Sequence, residues 1–261
     1  EAAASALRQA ASGLGIAGRP LTWAAWVADV AALAVESMPM LAEGAKITVI
    51  LTVAGLLLGM VIAIPLAVVR VYGPRSARWA ALGYTELIRG TPILAQLFFL
   101  WFGLNLGRPL LDLPLVGGPL PSEAVIVAIL GFTINSSAYQ SEYIRSAVTS
   151  VDPGQLTAAR AVGLSKLEGI RYVVLPQGLR LAIPSWTNEF IYLIKYSSLA
   201  AFIAVPELFR MARNIGSTTF QFTEIYVVVA VFYLGLVLTS AALMTQVERR
   251  TAIPGLSVQD A

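Results

Sequence analysis

The chain contains neither cysteine nor histidine, and these two absences remove several classes of chemistry. Without cysteine there are no disulfides and no thiolate metal sites. Without histidine there is no imidazole proton shuttle and no Ser–His or Cys–His catalytic pair. The sequence also lacks a Gly-x-x-x-x-Gly-Lys-Ser/Thr loop, so we do not expect the chain itself to bind ATP. We predict no catalytic residues, no metal site and no cofactor within this chain.

Charge is scarce and apolar residues are abundant. Only 13% of the residues are charged and 57% are hydrophobic, and the mean hydropathy is +0.74. This composition indicates an integral membrane protein. Since one helical span needs about 20 apolar residues, the length suffices for about five spans. We therefore predict an all-α, polytopic membrane helical bundle. The net charge of +3 is modest, and we expect no nucleic-acid partner.

Five segments have the length and apolarity of membrane spans. Two of them are uncharged throughout, another carries charges near its start, and one is interrupted by prolines and charges. Because a charge that faces lipid is costly, we expect the interrupted segment to face other protein. The predicted spans are 47–69, 82–106, 124–141, 172–204 and 226–247.

The start of the chain differs from these spans. Its first 20 residues lack the charged start and long apolar run of a signal peptide. Residues 23–41 are apolar but carry two acidic residues on one face, which favours a helix in the membrane interface anchored by Trp23 and Trp26. A sixth span is the alternative. We divide the chain into an N-terminal extension, a transmembrane domain and a C-terminal tail, at 1–41, 42–250 and 251–261.

Basic residues are more frequent in the connections on one side of the predicted bundle. Loops rich in lysine and arginine stay in the cytoplasm. The connections at 70–78 and 145–171 and the C-terminus are therefore predicted to be cytoplasmic, with the N-terminus outside. An odd number of spans agrees with ends on opposite sides of the membrane.

A polar island, residues 150–176, interrupts the apolar pattern between two predicted spans. The Asp-Pro-Gly turn at 152–154 can open a helix, and Gly163 offers a stop. A helix of about two turns is marginal in water, so we expect this one (about 152–165) to dock in a groove of a partner. Its apolar stripe consists of Leu156, Ala159 and Val162.

The polar island resembles a known pattern. The sequence is Gln-Leu-Thr-Ala-Ala-Arg-Ala-Val-Gly at 155–163 and, nine residues later, Val-Val-Leu-Pro at 173–176. These residues resemble the EAA loop of bacterial ATP-binding-cassette (ABC) importer permeases. Thr157 replaces the glutamate of the family pattern, which weakens any expectation of a glutamate-mediated contact to the ATPase.

Further stretches are similar to the polar amino acid uptake subfamily of these permeases, whose members are histidine, glutamine and arginine permease-like. The resemblance extends over about residues 44–250, and Tyr196 departs from the acidic residue expected there. The stretches are 86–92, 135–145, 175–177, 188–191 and 195–199.

The resemblance implies a permease subunit that moves a polar amino acid into the cell by alternating access. It implies two ATPase subunits that bind ATP and Mg²⁺, a second permease subunit (identical or homologous), an extracytoplasmic substrate-binding protein, and surrounding membrane lipid. The short helix of the polar island is then the coupling helix. Its predicted ATPase-coupling residues are Gln155, Thr157, Ala158, Ala159, Arg160, Gly163 and Leu164.

Polar residues within the predicted spans are candidates for substrate contact, because ionisable residues there are functional by default. Glu142 alternatively pairs with Arg145 or Arg89, and Glu189 alternatively neutralises Lys195 or Arg180. The candidates are Glu142, Asn135, Tyr139, Asn188, Glu189, Ser185, Lys195, Ser197 and Ser198.

A second group, Glu86, Arg89, Gly90 and Pro92, lies at the start of the second predicted span. Gly90 and Pro92 indicate a bent or unwound segment. The group is interpreted either as a gate or hinge, or as an ion pair that only supports the helix start.

Two other functions compete with the importer permease. A secondary amino acid transporter or channel that works alone usually shows two matching halves, and no internal repeat is visible. A structural membrane protein would not need the polar residues within the spans. The substrate interpretation leans slightly to basic or amide side chains, because two glutamates suit a cationic amino acid.

Overall fold

The computed structural model describes residues 23–106 and 122–251, and within them all regular structure is helical. This confirms the all-α prediction. Residues 1–22 of the predicted extension and 252–261 of the predicted tail lie outside the described residues. The helices are α1 Trp23–Tyr72, α2 Arg75–Arg89, α3 Ile93–Phe98, α4 Glu123–Ser150, α5 Pro153–Ala161, α6 Lys166–Gly169, α7 Leu175–Tyr196, α8 Leu208–Thr219 and α9 Phe222–Thr251.

Three irregular helical segments extend these elements. A π-helical turn, Phe99–Gly103, continues α3, and a second, Ile170–Val174, joins α6 to α7. A 3₁₀ segment, Ser197–Ile203, follows α7 and ends at Ala204 in the left-handed conformation with φ 69°. Helix α8 then starts at an angle of 52° to the preceding helical segment.

In the described part of the chain, three helices are long and apolar enough to cross a membrane: α1, α4 and α9. A fourth span results if the bent pair Lys166–Ile203 and Leu208–Thr219 is counted as one. The predicted span 82–106 is divided between α2 and the shorter apolar segment Ile93–Gly103. The division falls at Gly90–Pro92, since proline lacks an N–H and disfavours helical conformation in the residue before it.

The helix predicted at 23–41 is not a separate element, because residues Trp23–Tyr72 form one continuous helix of 50 residues; its place in the membrane interface stays a prediction. At 1.5 Å per residue, α1 is about 75 Å long, more than twice the thickness of a hydrocarbon core. Pro39 is accommodated inside it. Helix α1 also continues through Gly44. A Cβ at Gly44 would lie 2.9 Å from the Cα of Leu208, so this glycine allows close packing against α8.

The centre of the bundle is the contact between α1 and α4. A Cβ on Gly55 would lie 2.8 Å from Cβ of Phe132, and one on Gly59 would lie 2.9 Å from Nε2 of Gln140. Gly55 and Gly59, a Gly-x-x-x-Gly pair, therefore allow α1 and α4 to pack closely. Gln140 also donates to the carbonyl of Leu56 at 2.9 Å. The contact fixes the face of α4 that carries the polar patch at 135–137.

Helix α2 lies against the same region of α4. Its Tyr84 hydroxyl bonds Ser137 Oγ at 2.6 Å and donates to the carbonyl of Ile134 at 3.1 Å. These bonds hold the end of α2, and therefore Arg89, beside the polar face of α4.

Candidate functional site

A cleft of about 410 Å³ opens where the chain breaks between α2 and α3. Residues of five elements meet there: the end of α2, the start of α3, the middle of α4, the end of α7 and the 3₁₀ segment that follows it. The lining residues are Arg89, Gly90, Thr91, Pro92, Ile93, Leu94, Asn135, Tyr139, Tyr196 and Leu199.

Arg89 is the charged residue of the cleft. Its guanidinium carbon lies 5.3 Å from the centre of the Tyr139 ring, and its Nη1 is 4.0 Å from Oε1 of Glu86. Its Nε is buried and has no hydrogen-bond partner among the described residues. A buried donor left unsatisfied costs about 1–3 kcal/mol, so an anion in the cleft would be stabilised by Arg89.

Gln96 braces the break. Its Nε2 donates to the carbonyl of Ile88 at 2.7 Å and to that of Thr91 at 3.1 Å, while its Oε1 accepts from Nδ2 of Asn135 at 3.0 Å. Gln96 thus satisfies carbonyls that the broken helix would otherwise leave open. The Oδ1 of Asn135 has no partner among the described residues and is available as an acceptor.

Glu142 lies away from the cleft and forms ion pairs with Arg70 and Arg145. Arg145 Nε donates to it at 2.8 Å. The pairing with Arg145 matches the structural alternative for this residue; the other partner is Arg70 at the end of α1 and not Arg89.

Glu189 is 4% exposed and accepts a hydrogen bond from Ser136 Oγ at 2.8 Å. Tyr143 OH lies 3.5 Å from its other oxygen. Neither Lys195 nor Arg180 forms an ion pair with it in the described part of the chain, so hydroxyl groups take the place of the predicted cation. Glu189 therefore bonds α7 to α4 and does not line the cleft.

The remaining predicted substrate residues do not line the cleft either. Asn188 and Lys195 are exposed, and the ammonium of Lys195 lies 4.5 Å from the centre of the Tyr192 ring. Ser197 and Ser198 donate to carbonyls one turn back, at 2.7 and 2.8 Å. Ser185 is half-buried. Of the nine candidates, the structure brings Asn135 and Tyr139 into the cleft, together with Arg89, Gly90 and Pro92 of the gate group.

The polar island has the predicted local structure. Asp152 caps α5 by accepting from the N–H of Gly154 at 2.6 Å. Beyond the helix, Gly163 has φ +95°, a conformation that glycine adopts without strain.

The short helix α5 packs against α6 through part of its apolar stripe. Ala159 is buried, and Leu156 Cδ1 lies 2.8 Å from where a Cβ of Gly169 would be. Val162, the third residue of the predicted apolar stripe, is instead 80% exposed, and the neighbouring Leu167 is 70% exposed. The predicted coupling residues Gln155, Thr157, Ala158 and Arg160 are exposed too, so α5 is a rigidly supported stub with a free outer face.

Sequence reasoning missed the bracing role of Gln96 and the position of Tyr196 in the cleft. Gln96 carried a signal, because it is a polar residue inside an apolar stretch after Pro92. For Tyr196, the sequence offered only one hint, namely that it replaces the acidic residue expected from the subfamily pattern. Its place opposite Arg89 follows from the packing of α7.

Comparison with known proteins supports this reading of the bundle. Residues 55–253 match the model of the family described as "Binding-protein-dependent transport system inner membrane component". The chain is 39% identical over 217 residues to the "Glutamine transport system permease protein GlnP" of Escherichia coli (strain K12), covering 83% of this chain and 95% of that one. It is 36% identical over 220 residues to the "Probable amino-acid ABC transporter permease protein YckA" of Bacillus subtilis (strain 168), covering 84% and 92%.

A solved structure, "Crystal structure of an amino acid ABC transporter with histidines", superposes with a TM-score of 0.70 at 33% identity. It covers 83% of this chain and 96% of that one. The similarity therefore extends over most of the described bundle.

Proposed function

We propose that this chain, which belongs to the family of binding-protein-dependent transport system inner membrane components, carries a neutral polar amino acid past Arg89, because Arg89 lines the cleft and no acidic residue is among the described residues lining it. It is a permease subunit of an amino acid ABC importer and a multi-pass protein of the inner membrane. It is a transporter subunit and not an enzyme, since ATP hydrolysis lies in a separate subunit.

The observation that carries the proposal is that Arg89 lines the cleft while its buried Nε has no hydrogen-bond partner among the described residues. A guanidinium presents parallel N–H donors that match a carboxylate. The α-carboxylate common to all amino acids is therefore assigned to Arg89. Gly90 and Pro92 shape the cleft because they break the helix beside it.

The cleft favours a neutral side chain. The described residues that line it include no carboxylate, and Glu142 and Glu189 are engaged elsewhere. A cationic side chain would find no carboxylate among the lining residues and would lie in the same cleft as the positive charge of Arg89, which is unfavourable. The free Oδ1 of Asn135 instead suits the amide N–H₂ of glutamine or asparagine, in agreement with the substrate named for the glutamine permease relative.

The proposal also includes the partner subunits of the importer and the orientation of this chain in the membrane. Helix α5 couples the bundle to one of two ATPase subunits that bind ATP and Mg²⁺, through its exposed face at Thr157, Ala158 and Val162. Closure of the ATPase dimer moves this rigid stub and rocks the bundle between two states. A second permease subunit and an extracytoplasmic binding protein complete the importer. The basic connections and the C-terminus face the cytoplasm, and the N-terminus faces outward.

The assembled transporter, reconstituted in liposomes with its ATPase and binding protein, tests the proposal. We expect ATP hydrolysis to be stimulated by glutamine or asparagine, and weakly or not at all by arginine and lysine, in a panel of twenty amino acids. Stimulation by basic amino acids alone would overturn the neutral assignment. An assembled complex that responds to no amino acid would overturn the amino acid assignment as a whole.

Replacing Asn135 by aspartate should shift the preference toward cationic amino acids, because the substitution places a carboxylate in the cleft. Glutamine uptake should fall about tenfold or more, because the new carboxylate cannot donate to Gln96 and competes with the substrate carboxylate for Arg89. Competition of labelled glutamine uptake by unlabelled arginine measures the shift. Asn214→Asp, on the exposed face of α8, is the matched control and should keep the original preference. An unaltered preference in Asn135→Asp would remove this residue from the site.

A further inference from the structure

A second cleft, the arginine cleft, opens on the other end of α2 from Arg89. It measures about 580 Å³ and is lined by Arg70, Arg75, Arg78, Trp79, Leu82 and Arg145. Four of these six residues are arginines, and none is acidic. The cleft therefore has strong positive charge around a space large enough for a small polar group.

Two of its arginines are not neutralised. Arg70 and Arg145 share Glu142. Arg75 and Arg78 are exposed, and their side chains form no ion pair or hydrogen bond within residues 23–106 and 122–251. Positive charge thus remains in excess on the α2 side of the cleft.

The position of these two arginines is electrostatically unusual. They occupy the first turn of α2, where Pro74 gives no side-chain cap and no acidic residue is present. The N-terminus of a helix already carries partial positive charge and open N–H groups, which favour an anion and disfavour a cation. An anion bound here would accept from these N–H groups and from the arginines together.

The surroundings indicate a membrane surface. Trp79 is 62% exposed beside the arginines, and tryptophan is enriched where the apolar membrane core meets the headgroups. The other side of α2 contributes Ala77, Ala80, Ala81 and Tyr84 to an apolar groove with α1. A helix with one apolar and one basic side is typical of the membrane interface.

We propose that the arginine cleft binds the phosphate headgroup of an anionic phospholipid in the leaflet at the polar-island end of the bundle. Arg75, Arg78 and the open N–H groups of α2 hold the phosphate, and Trp79 and Leu82 contact the apolar part of the lipid. Phosphate oxygens match the guanidinium donors in geometry and charge. The exposed Trp79, beside the partly buried Leu82, favours a lipid over an acidic protein segment. The proposal rests on the cytoplasmic orientation given above but not on the amino acid carried.

Native mass spectrometry of the complete purified transporter tests this proposal, with phosphatidylglycerol as the probe and phosphatidylcholine for comparison. We expect phosphatidylglycerol to bind at least tenfold more tightly than phosphatidylcholine. The double substitution Arg75→Gln and Arg78→Gln should remove that preference. Because both residues are exposed, the variant should fold, and its intact mass as an assembled complex confirms this.

The control is Arg249→Gln with Arg250→Gln, which removes two exposed arginines from the end of α9 outside the cleft. It should keep the preference for phosphatidylglycerol; an equal loss in this control would show general surface charge and overturn the site. Glycerol phosphate added as a soluble competitor should not displace the lipid at equal concentration. Equal binding of that competitor would identify a free phosphate site, and unchanged lipid binding in the Arg75/Arg78 variant would also overturn the proposal. Since lipid binding and not transport is measured, failure here leaves the amino acid assignment intact.

Discussion

Replacing Arg89 by glutamine is expected to reduce amino acid uptake about 10- to 100-fold, mainly through a raised KM, because a hydrogen bond to a charged group contributes about 1.5–3 kcal/mol. The guanidinium of Arg89 lies over the Tyr139 ring, and its buried Nε has no partner among residues 23–106 and 122–251. The α-carboxylate of the substrate would provide that partner. Initial uptake rates over a range of substrate concentrations, in liposomes containing the complete importer, measure the effect.

Two further variants show whether the loss of uptake comes from the guanidinium of Arg89 in particular. Arg89→Lys keeps the charge but loses the planar fork of donors, so its uptake should fall between those of the native protein and Arg89→Gln. Arg249→Gln removes an exposed arginine at the end of α9 and should transport normally. Native KM and maximal rate in Arg89→Gln would show that Arg89 does not contact the substrate and would leave it with the structural role of supporting the end of α2.

Replacing Gly163 by valine is expected to uncouple ATP hydrolysis from uptake. The φ of +95° at this position is strained for a β-branched residue, and no atom lies within 4 Å of its Cβ position, so the effect comes from the backbone and not from crowding. The strain, of order 1–2 kcal/mol or more, should shift the end of α5 and the exposed Val162 beside it. Uptake per ATP hydrolysed should fall about tenfold in a complex that still assembles, because the displaced stub no longer transmits the ATPase motion.

Measuring ATP hydrolysis and uptake in the same liposomes gives the coupling ratio directly. Gly83→Ala is the matched control, since Gly83 also has nothing within 4 Å but no left-handed conformation, and it should keep the native ratio. Gly163→Asn should retain more coupling than the valine variant, because asparagine tolerates left-handed conformations better. A native ratio in Gly163→Val would separate α5 from energy coupling.

The local features of the polar island could be predicted from sequence because each depends on residues close in the chain. As expected, the Asp-Pro-Gly turn caps the start of α5, and Gly163, in the left-handed conformation, follows the end of this helix. The break at Gly90–Pro92 has the same local origin. By contrast, the sequence analysis missed the continuity between residues 23–41 and the first span; Pro39, a residue that usually kinks or breaks a helix, is accommodated inside α1.

The partners of charged residues were harder to predict. Arg70 and Glu142 are 72 positions apart and meet only because α1 packs along α4. Glu189 was expected beside a cation, yet Ser136 of α4 bonds it across 53 positions. Choosing between these partners requires knowing which helix faces contact each other, and the spacing of residues within one helix does not contain that information.

The sequence by itself determined that the chain is an all-helical membrane protein, that it resembles an importer permease, and where its short polar helix begins and ends. These follow from composition and from interactions within a few residues. Only the tertiary structure decided which polar residues share a cleft: Arg89, Asn135, Tyr139 and Tyr196 do, whereas Glu142 and Glu189 are held by bonds between helices. The physical reason is that a buried charge is costly without a charged or hydrogen-bonding partner, and the available partners are set by the packing of separate helices.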